Sequence, residues 1–244
     1  RFVEMMNARA AELGADAHYA NPHGLDAEGH SASALGLAKI MRECMRLESF
    51  RVITSTKKKV IPWEGNEYSR VLQNKNKLLS SYEGATGGKT GYTSKAGRCL
   101  VFSAKRDGLE IIGVVLRCPT WFDTAAAMLD YGFEHYAMVT ALSDGSFAAS
   151  VPVRDGMKRE VPAVVDGDLR CALGDAEGYS VTFETEAPAA PVEKGQRVGT
   201  ARMMASGRCV AERPLVAGEG VEKRNMESAL MRLLRRWLLL FEDG

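Results

Sequence analysis

The sequence predicts an α/β part, then a small all-β part, then one closing amphipathic helix. Three observations predict that layout. Up to about residue 138, apolar residues recur at helical spacing between shorter β-like runs. Beyond it, β-branched runs alternate with Gly and Asp turns every ~8–12 residues, the spacing of a sandwich or barrel. The last stretch, about 222–241, returns to a helical period with apolar and arginine-bearing sides. We therefore expect domains at residues 1–138 and 139–218 and a helical segment at 219–244. A length of 244 residues fits one large or two modest domains.

The elements follow in order. Phe2, Met5, Met6, Ala10 and Leu13 form a helical stripe that stops at Gly14, and residues 14–31 are loop-like. Arg1 leads straight into that stripe without a cap or an initiator Met, so the chain is expected to begin inside a longer one. Ser33 is placed to cap a second helix carrying Leu35, Leu37, Ile40, Met41, Cys44 and Met45. A short helix near 48–54 leads to β-like pieces around 58–62 and 68–72, then to a polar loop at 73–77 and a glycine-dense turn at 84–91. Residues 98–105 and 109–117 flank Arg106-Asp107-Gly108, a hairpin pattern. Pro119 opens a helix with Phe122, Ala125, Ala126, Met128 and Leu129 inward. The β part is expected at 150–153, 160–165, 180–184, 197–203 and 208–216.

Composition narrows the function classes. Lys+Arg 32 against Asp+Glu 31 leaves a formal charge of +1, which excludes a strongly polyanion-binding protein in bulk and leaves a local basic face open; no nucleic-acid partner is expected. With 45% hydrophobic residues, 24 Gly and 8 Pro, the chain is neither disordered nor collagen-like. No uncharged apolar run approaches the ~20 residues of a membrane span. Five cysteines without a C-x-x-C spacing argue against a zinc site or a fully paired disulfide framework.

The densest cluster of special residues is Gly84-Ala85-Thr86-Gly87-Gly88-Lys89-Thr90-Gly91. It is not a phosphate loop. The first glycine of G-x-x-x-x-G-K-[ST] would fall on Glu83, and a strand rather than a helix follows Lys89. The better reading is a Lys-Thr-Gly edge strand followed by a hairpin. Asn21-Pro22-His23-Gly24-Leu25-Asp26, Asn74-Lys75-Asn76-Lys77-Leu78-Leu79, Gly88 to Gly97 and Leu129-Asp130-Tyr131-Gly132-Phe133 accompany it in order. Together these segments resemble the D-alanyl-D-alanine carboxypeptidases among the low-molecular-mass penicillin-binding proteins, over essentially the whole chain.

The resemblance implies a partial penicillin-binding/β-lactamase-like catalytic fold with an antiparallel sheet, followed by a β-rich domain. It implies a serine peptidase that removes the terminal D-Ala of peptidoglycan stem peptides through an acyl-enzyme and is trapped by β-lactams. No metal or organic cofactor is implied. Lys89 and Thr90 would hold the substrate carboxylate, Gly91 would let its backbone approach, and the Tyr92 N–H would form half of an oxyanion hole.

For Thr93 two readings stand, a second hydroxyl near the carboxylate or a satisfied strand edge. His23 is either adjacent to the site or a hydrogen-bonded turn residue, and Lys75 either faces the cleft or is solvated. Trp63 and Trp121 read as packing residues.

The family's Ser-x-x-Lys and Ser-x-Asn motifs are not in their places. Ser55-Thr56-Lys57-Lys58 has the form but leads into a β-like run, and a nucleophile of this kind sits at the start of a buried helix. These residues are therefore expected to be the C-terminal portion of the enzyme, inactive alone and partnered by the missing N-terminal portion. Rival readings are a serine β-lactamase-like hydrolase and a non-catalytic wall scaffold or membrane-targeting module.

In the last helix Met226, Leu230, Leu233, Leu234, Trp237, Leu240 and Phe241 share one face, with Arg232, Arg235 and Arg236 opposite. It either docks on the β part or lies in a membrane interface. The resemblance implies the second, a peripheral place on the extracytoplasmic face of the bacterial cytoplasmic membrane.

Overall fold

The computed structural model describes residues 1–224, which form two units meeting between Ala137 and Met138. The predicted terminal helix lies outside the described residues.

The first unit begins with helix α1 (Phe2–Glu12), followed by two-residue strands β1 (Ala17–His18) and β2 (Ser31–Ala32), which pair across the loop between them. Helix α2 (Ala34–Cys44) starts where expected, because the Ser33 hydroxyl accepts from Gly36 N at 3.0 Å and satisfies one otherwise orphaned helix-start donor. Helix α3 (Glu48–Ser55) leads to the hairpin β3 (Lys58–Ile61)–β4 (Arg70–Gln73), and the short helix α4 (Leu78–Ser81) follows. Strands β5 (Ala85–Thr93), β6 (Gly97–Arg106) and β7 (Leu109–Val115) make one antiparallel sheet in that order, and helix α5 (Trp121–His135) packs on it. Among the described residues β5 is an edge strand.

The core of this unit is Leu78, Leu100, Phe102, Ala104, Val115, Ala125 and Leu129, all buried. Phe102 fills the space over Gly113, where an added Cβ would stand 2.2 Å from the ring. Met128 of α5, expected inward, is exposed, and so are Phe2 and Met5 of α1 and Leu35 of α2, which lie on the predicted apolar stripes; helical spacing gathers such residues on one side without ensuring that another element covers it. Trp121 packs against the core, whereas Trp63 is exposed and held by Arg70, whose guanidinium lies 4.3 Å from the ring centroid.

The second unit adds β8 (Tyr136–Leu142), β9 (Phe147–Pro152), β10 (Glu160–Val165), β11 (Leu169–Gly174), β12 (Tyr179–Thr185), β13 (Arg197–Ala205) and β14 (Arg208–Ala217). Five of these form an antiparallel sheet in the order β12-β13-β14-β10-β9, and β11 pairs with β8. Alternate residues face inward, as a half-buried strand requires: Val161, Ala163 and Val165 on β10, and Ala201, Met203 and Ala205 on β13. The short runs before residue 147 and after Asp168 are strands β8 and β11, missing from the sequence reading. Neither has a strict period-two pattern.

Where α4 ends, Tyr82 donates to Asp130 at 2.7 Å beneath the Arg106 guanidinium. Burial first, and then the Asp130 hydrogen bond, push its phenol from 10.0 up to about 12. The folded state thus favours the protonated phenol. Its stabilisation is complete below a pH of about 10 and is lost as pH rises through about 12. An absorbance titration should show a late-ionising tyrosine that Tyr82→Phe lacks, and the stability gap between the two proteins should close over that window. Identical titrations would contradict the assignment.

Candidate active site

Strand β5 can lie where it does because its first half carries no side chains at Gly87 and Gly88. A Cβ on Gly88, at φ 144°, would stand 2.3 Å from the Val101 carbonyl, and one on Gly87 would stand 2.5 Å from Thr54 Oγ1. The buried Asn76 amide donates to the Gly87 carbonyl at 3.3 Å, and its own oxygen accepts from Leu78 N at 3.2 Å. Asn74 holds the end of α3, donating to the carbonyls of Thr54 and Thr56. The Asn-Lys-Asn segment is therefore a brace behind β5, a role the sequence reading missed.

This brace sets Thr90 opposite Leu100 and Gly91 opposite Cys99. In front of them lies a cavity of about 560 Å³. Lys89, Thr90, Gly91, Tyr92 and Thr93 all line it, with Tyr19, Gly24, Asp26, His30 and Cys99 around them. The Lys89 ammonium reaches the Thr90 carbonyl, leaving two of its three donor hydrogens for other acceptors. Among the described residues the Thr90 hydroxyl has no hydrogen-bond partner. Gly91 opens onto free space, so nothing blocks an extended ligand from lying along the strand. Tyr92 is 67% exposed.

Thr93 differs from Thr90. Its hydroxyl donates to Asp26 Oδ1 at 2.9 Å and accepts from Ala96 N at 2.9 Å, so its one hydrogen is already in use. That bond spans 67 residues and ties the 21–30 loop to β5. The loop is held from within as well. Asn21 bonds to Gly24 N and to the Leu25 carbonyl, and His23 Nδ1 accepts from Leu25 N at 3.2 Å. Asn7 of α1 clamps the Tyr19 backbone from both sides, and Tyr19 packs edge-on to His30, with burial pushing its phenol up.

Of the seven residues that the sequence reading named for the site, Lys89, Thr90, Gly91, Tyr92 and Thr93 line this cavity. His23 is exposed and not among the lining residues, though its neighbours Gly24 and Asp26 are. Lys75 is exposed between the two bracing asparagines and does not line the cavity either. Ser55 ends α3, exposed, with its hydroxyl turned back to the Val52 carbonyl. Among the described residues no group of His, Cys, Asp and Glu is arranged to hold a metal ion. Asp26 and Cys99 are among the lining residues whose places were not anticipated. Cys99 was legible, since counting back from the Arg106-Asp107-Gly108 turn and forward from β5 sets it opposite Gly91.

Comparison with known proteins agrees with this geometry. A model of the D-alanyl-D-alanine carboxypeptidase family matches residues 1–120, and one of the penicillin-binding protein 5 C-terminal domain matches residues 136–223. The chain belongs to the D-alanyl-D-alanine carboxypeptidases of the low-molecular-mass penicillin-binding protein family. Among its relatives, D-alanyl-D-alanine carboxypeptidase DacF of Bacillus subtilis is 31% identical over 244 residues, covering 97% of this chain and 62% of that protein. DacA of Escherichia coli is 30% identical, covering 92% and 57%. Penicillin-binding protein 5 of Haemophilus influenzae, a solved structure, superposes with a TM-score of 0.65 at 27% identity, covering 91% of this chain and 66% of that one. The chain thus spans between half and two thirds of these carboxypeptidases' length.

The Asp26–Thr93 bond makes a local prediction. Asp26→Ala should raise hydrogen exchange in residues 21–30 several-fold, corresponding to about 1 kcal/mol for an exposed bond to a charged acceptor. Asp26→Asn, which keeps an acceptor oxygen, should retain most of the protection. Unchanged exchange in the Ala variant would show that the loop does not depend on this tether.

Proposed function

We propose that these residues form the carboxylate-receiving half of a serine D-alanyl-D-alanine carboxypeptidase acting on peptidoglycan stem peptides. The observation that carries this reading is the cavity in front of β5, where an ammonium, an unengaged hydroxyl and an open glycine follow one another along an exposed strand edge. A substrate ending in D-Ala-D-Ala offers what those groups take. Its terminal carboxylate accepts from Lys89 Nζ and Thr90 Oγ1, charge-assisted bonds stronger than neutral ones. Its extended backbone lies along Gly91 to Thr93 and adds to the free sheet edge. Thr93 can join the carboxylate only by releasing Asp26.

Held by its end, the substrate presents its penultimate carbonyl beside the Tyr92 backbone, whose N–H would donate to the developing oxyanion. The attack itself requires a serine hydroxyl activated by a lysine, and among the described residues none is arranged for that. We infer that a Ser-x-x-Lys segment outside these 244 residues supplies it. The acyl-enzyme then releases D-Ala and is hydrolysed by water, and a β-lactam occupies the same carboxylate seat and acylates the same serine. His23, whose neighbours Gly24 and Asp26 line the cavity, and Lys75, exposed between the bracing asparagines, are the further residues proposed to meet substrate. The work of such an enzyme lies outside the cytoplasm. We place it at the membrane surface through residues 222–241, whose sequence sets apolar residues on one helical side and Arg232, Arg235 and Arg236 on the other.

Fluorescent penicillin tests this reading. The 244-residue chain alone should take no covalent label, and a mixture with a polypeptide carrying the Ser-x-x-Lys and Ser-x-Asn segments should be labelled on that other polypeptide. Lys89→Gln should lower labelling of the mixture by about 10²-fold, the order expected for losing a charged group at a reacting site. Label on this chain, or full labelling with Lys89→Gln, would overturn the proposal.

A further inference from the structure

The second unit carries a pocket that the carboxypeptidase reading does not use. The turn after β9 doubles back so that Gly156 bridges Lys223, and backbone bonds lock the two segments together. Arg224 N donates to the Asp155 carbonyl, Met157 N donates to the Glu222 carbonyl and Val153 N donates to the Arg159 carbonyl, each at 2.8 Å. Gly156 is buried at the crossing. A Cβ there would stand 2.6 Å from the Lys158 carbonyl and 2.9 Å from the Val153 and Val221 methyls. The result is a hollow of about 300 Å³ floored by Val153 and Gly156 and walled by Asp155, Arg159, Lys223 and Arg224.

Three cations thus face one hollow on a backbone frame fixed by hydrogen bonds. Among the described residues none of the three is in an ion pair. Two other cations of the same unit are engaged: Lys158 pairs with Glu219 and Arg202 with Glu184. The basic groove of the first unit, lined by Lys39, Arg42, Arg46 and Arg51, has three of its four occupied by Gly14, Glu43 and Glu110. The single carboxylate in the hollow, Asp155, sits at φ 57°, a left-handed turn position that the crossing imposes.

We propose that this pocket binds a phosphate ester bearing a neighbouring hydroxyl, of the glycerol phosphate class. Two guanidinium forks and an ammonium match the charge and the several acceptor oxygens of a phosphate, where a single carboxylate would satisfy only one of them. The Asp155 carboxylate, which repels a bare anion, accepts from the hydroxyl next to the ester and so selects for it. The same chemistry is offered by a lipid headgroup or by a soluble ester.

The full 244-residue chain can be titrated with glycerol 1-phosphate while following the amide resonances of Gly156 and Lys223, and separately partitioned onto phosphatidylglycerol and phosphatidylcholine vesicles. The pocket variant is Arg159→Gln, Lys223→Gln, Arg224→Gln. A charge-matched control is Arg170→Gln, Lys194→Gln, Arg208→Gln, three exposed residues of the same unit away from the hollow. Saturable shifts are expected with glycerol phosphate and not with glycerol, lost in the pocket variant and kept in the control. A further several-fold loss in phosphatidylglycerol partitioning, absent from the control and present already in Arg159→Gln alone, which lies outside residues 222–241, identifies the lipid as the source, whereas partitioning unaltered by Arg159→Gln identifies a soluble ester. Equal losses in both variants, or no saturable shift and no selective loss on vesicles, would overturn the proposal. Unfolding midpoints for each variant, with Arg224→Gln alone as a milder change, separate loss of binding from loss of fold.

Discussion

How near the β5 backbone can come to the elements behind it governs the first unit. At Gly87 and Gly88 the strand passes against Thr54, Val101 and Asn76 with no space for a side chain. The Asn76 amide then fixes the Gly87 carbonyl from inside the core. Because this half of β5 is pinned, the remainder enters the sheet in a single register, with Gly91 across from Cys99. Lys89, Thr90 and Gly91 are therefore delivered to the cavity by packing at the two residues that immediately precede them, and the strand edge they occupy is left unpaired among the described residues. A methyl group added at Gly88 would cost the whole arrangement, although it touches none of the groups proposed to meet substrate.

The two threonines of β5 show how a small difference in surroundings divides similar groups. Thr90 is nearly buried yet keeps its hydroxyl hydrogen free, whereas Thr93 has committed its hydrogen to Asp26. A free donor beside an ammonium is ready for an anion, while an engaged one holds a loop. The loop bearing His23 is thereby coupled to the strand bearing Lys89, so ligand at Thr93 and order in residues 21–30 would be linked through the same hydrogen.

Much of this was legible in the sequence because it rests on local chemistry. Ser33 as a helix cap, the Arg106-Asp107-Gly108 hairpin and the glycine-flanked Lys89-Thr90-Gly91 strand each follow from propensities acting within a few residues. What escaped depends on contacts distant in the chain. Asn74 and Asn76 read as an exposed polar loop, yet their amides close on α3 and β5, and no local pattern distinguishes a brace from a solvated turn. Phe2, Met5 and Met128 obey helical spacing, but spacing says which residues share a face and not whether another element covers it. The pocket around Gly156 escaped for the same reason, since Arg159 and Arg224 are 65 positions apart and meet only through the bridge between Gly156 and Lys223.

The central claim is that Lys89, Thr90 and Gly91 receive the terminal carboxylate of an extended peptide. The most direct measurement follows the chain's amide resonances during titration with a peptide ending in D-Ala-D-Ala, and then with the same peptide as its C-terminal amide. The account predicts saturable shifts at Thr90, Gly91 and Cys99 with the acid and at least about tenfold weaker binding of the amide, which lacks the charge. Equal binding of the two peptides, or shifts that lie away from β5, would contradict it.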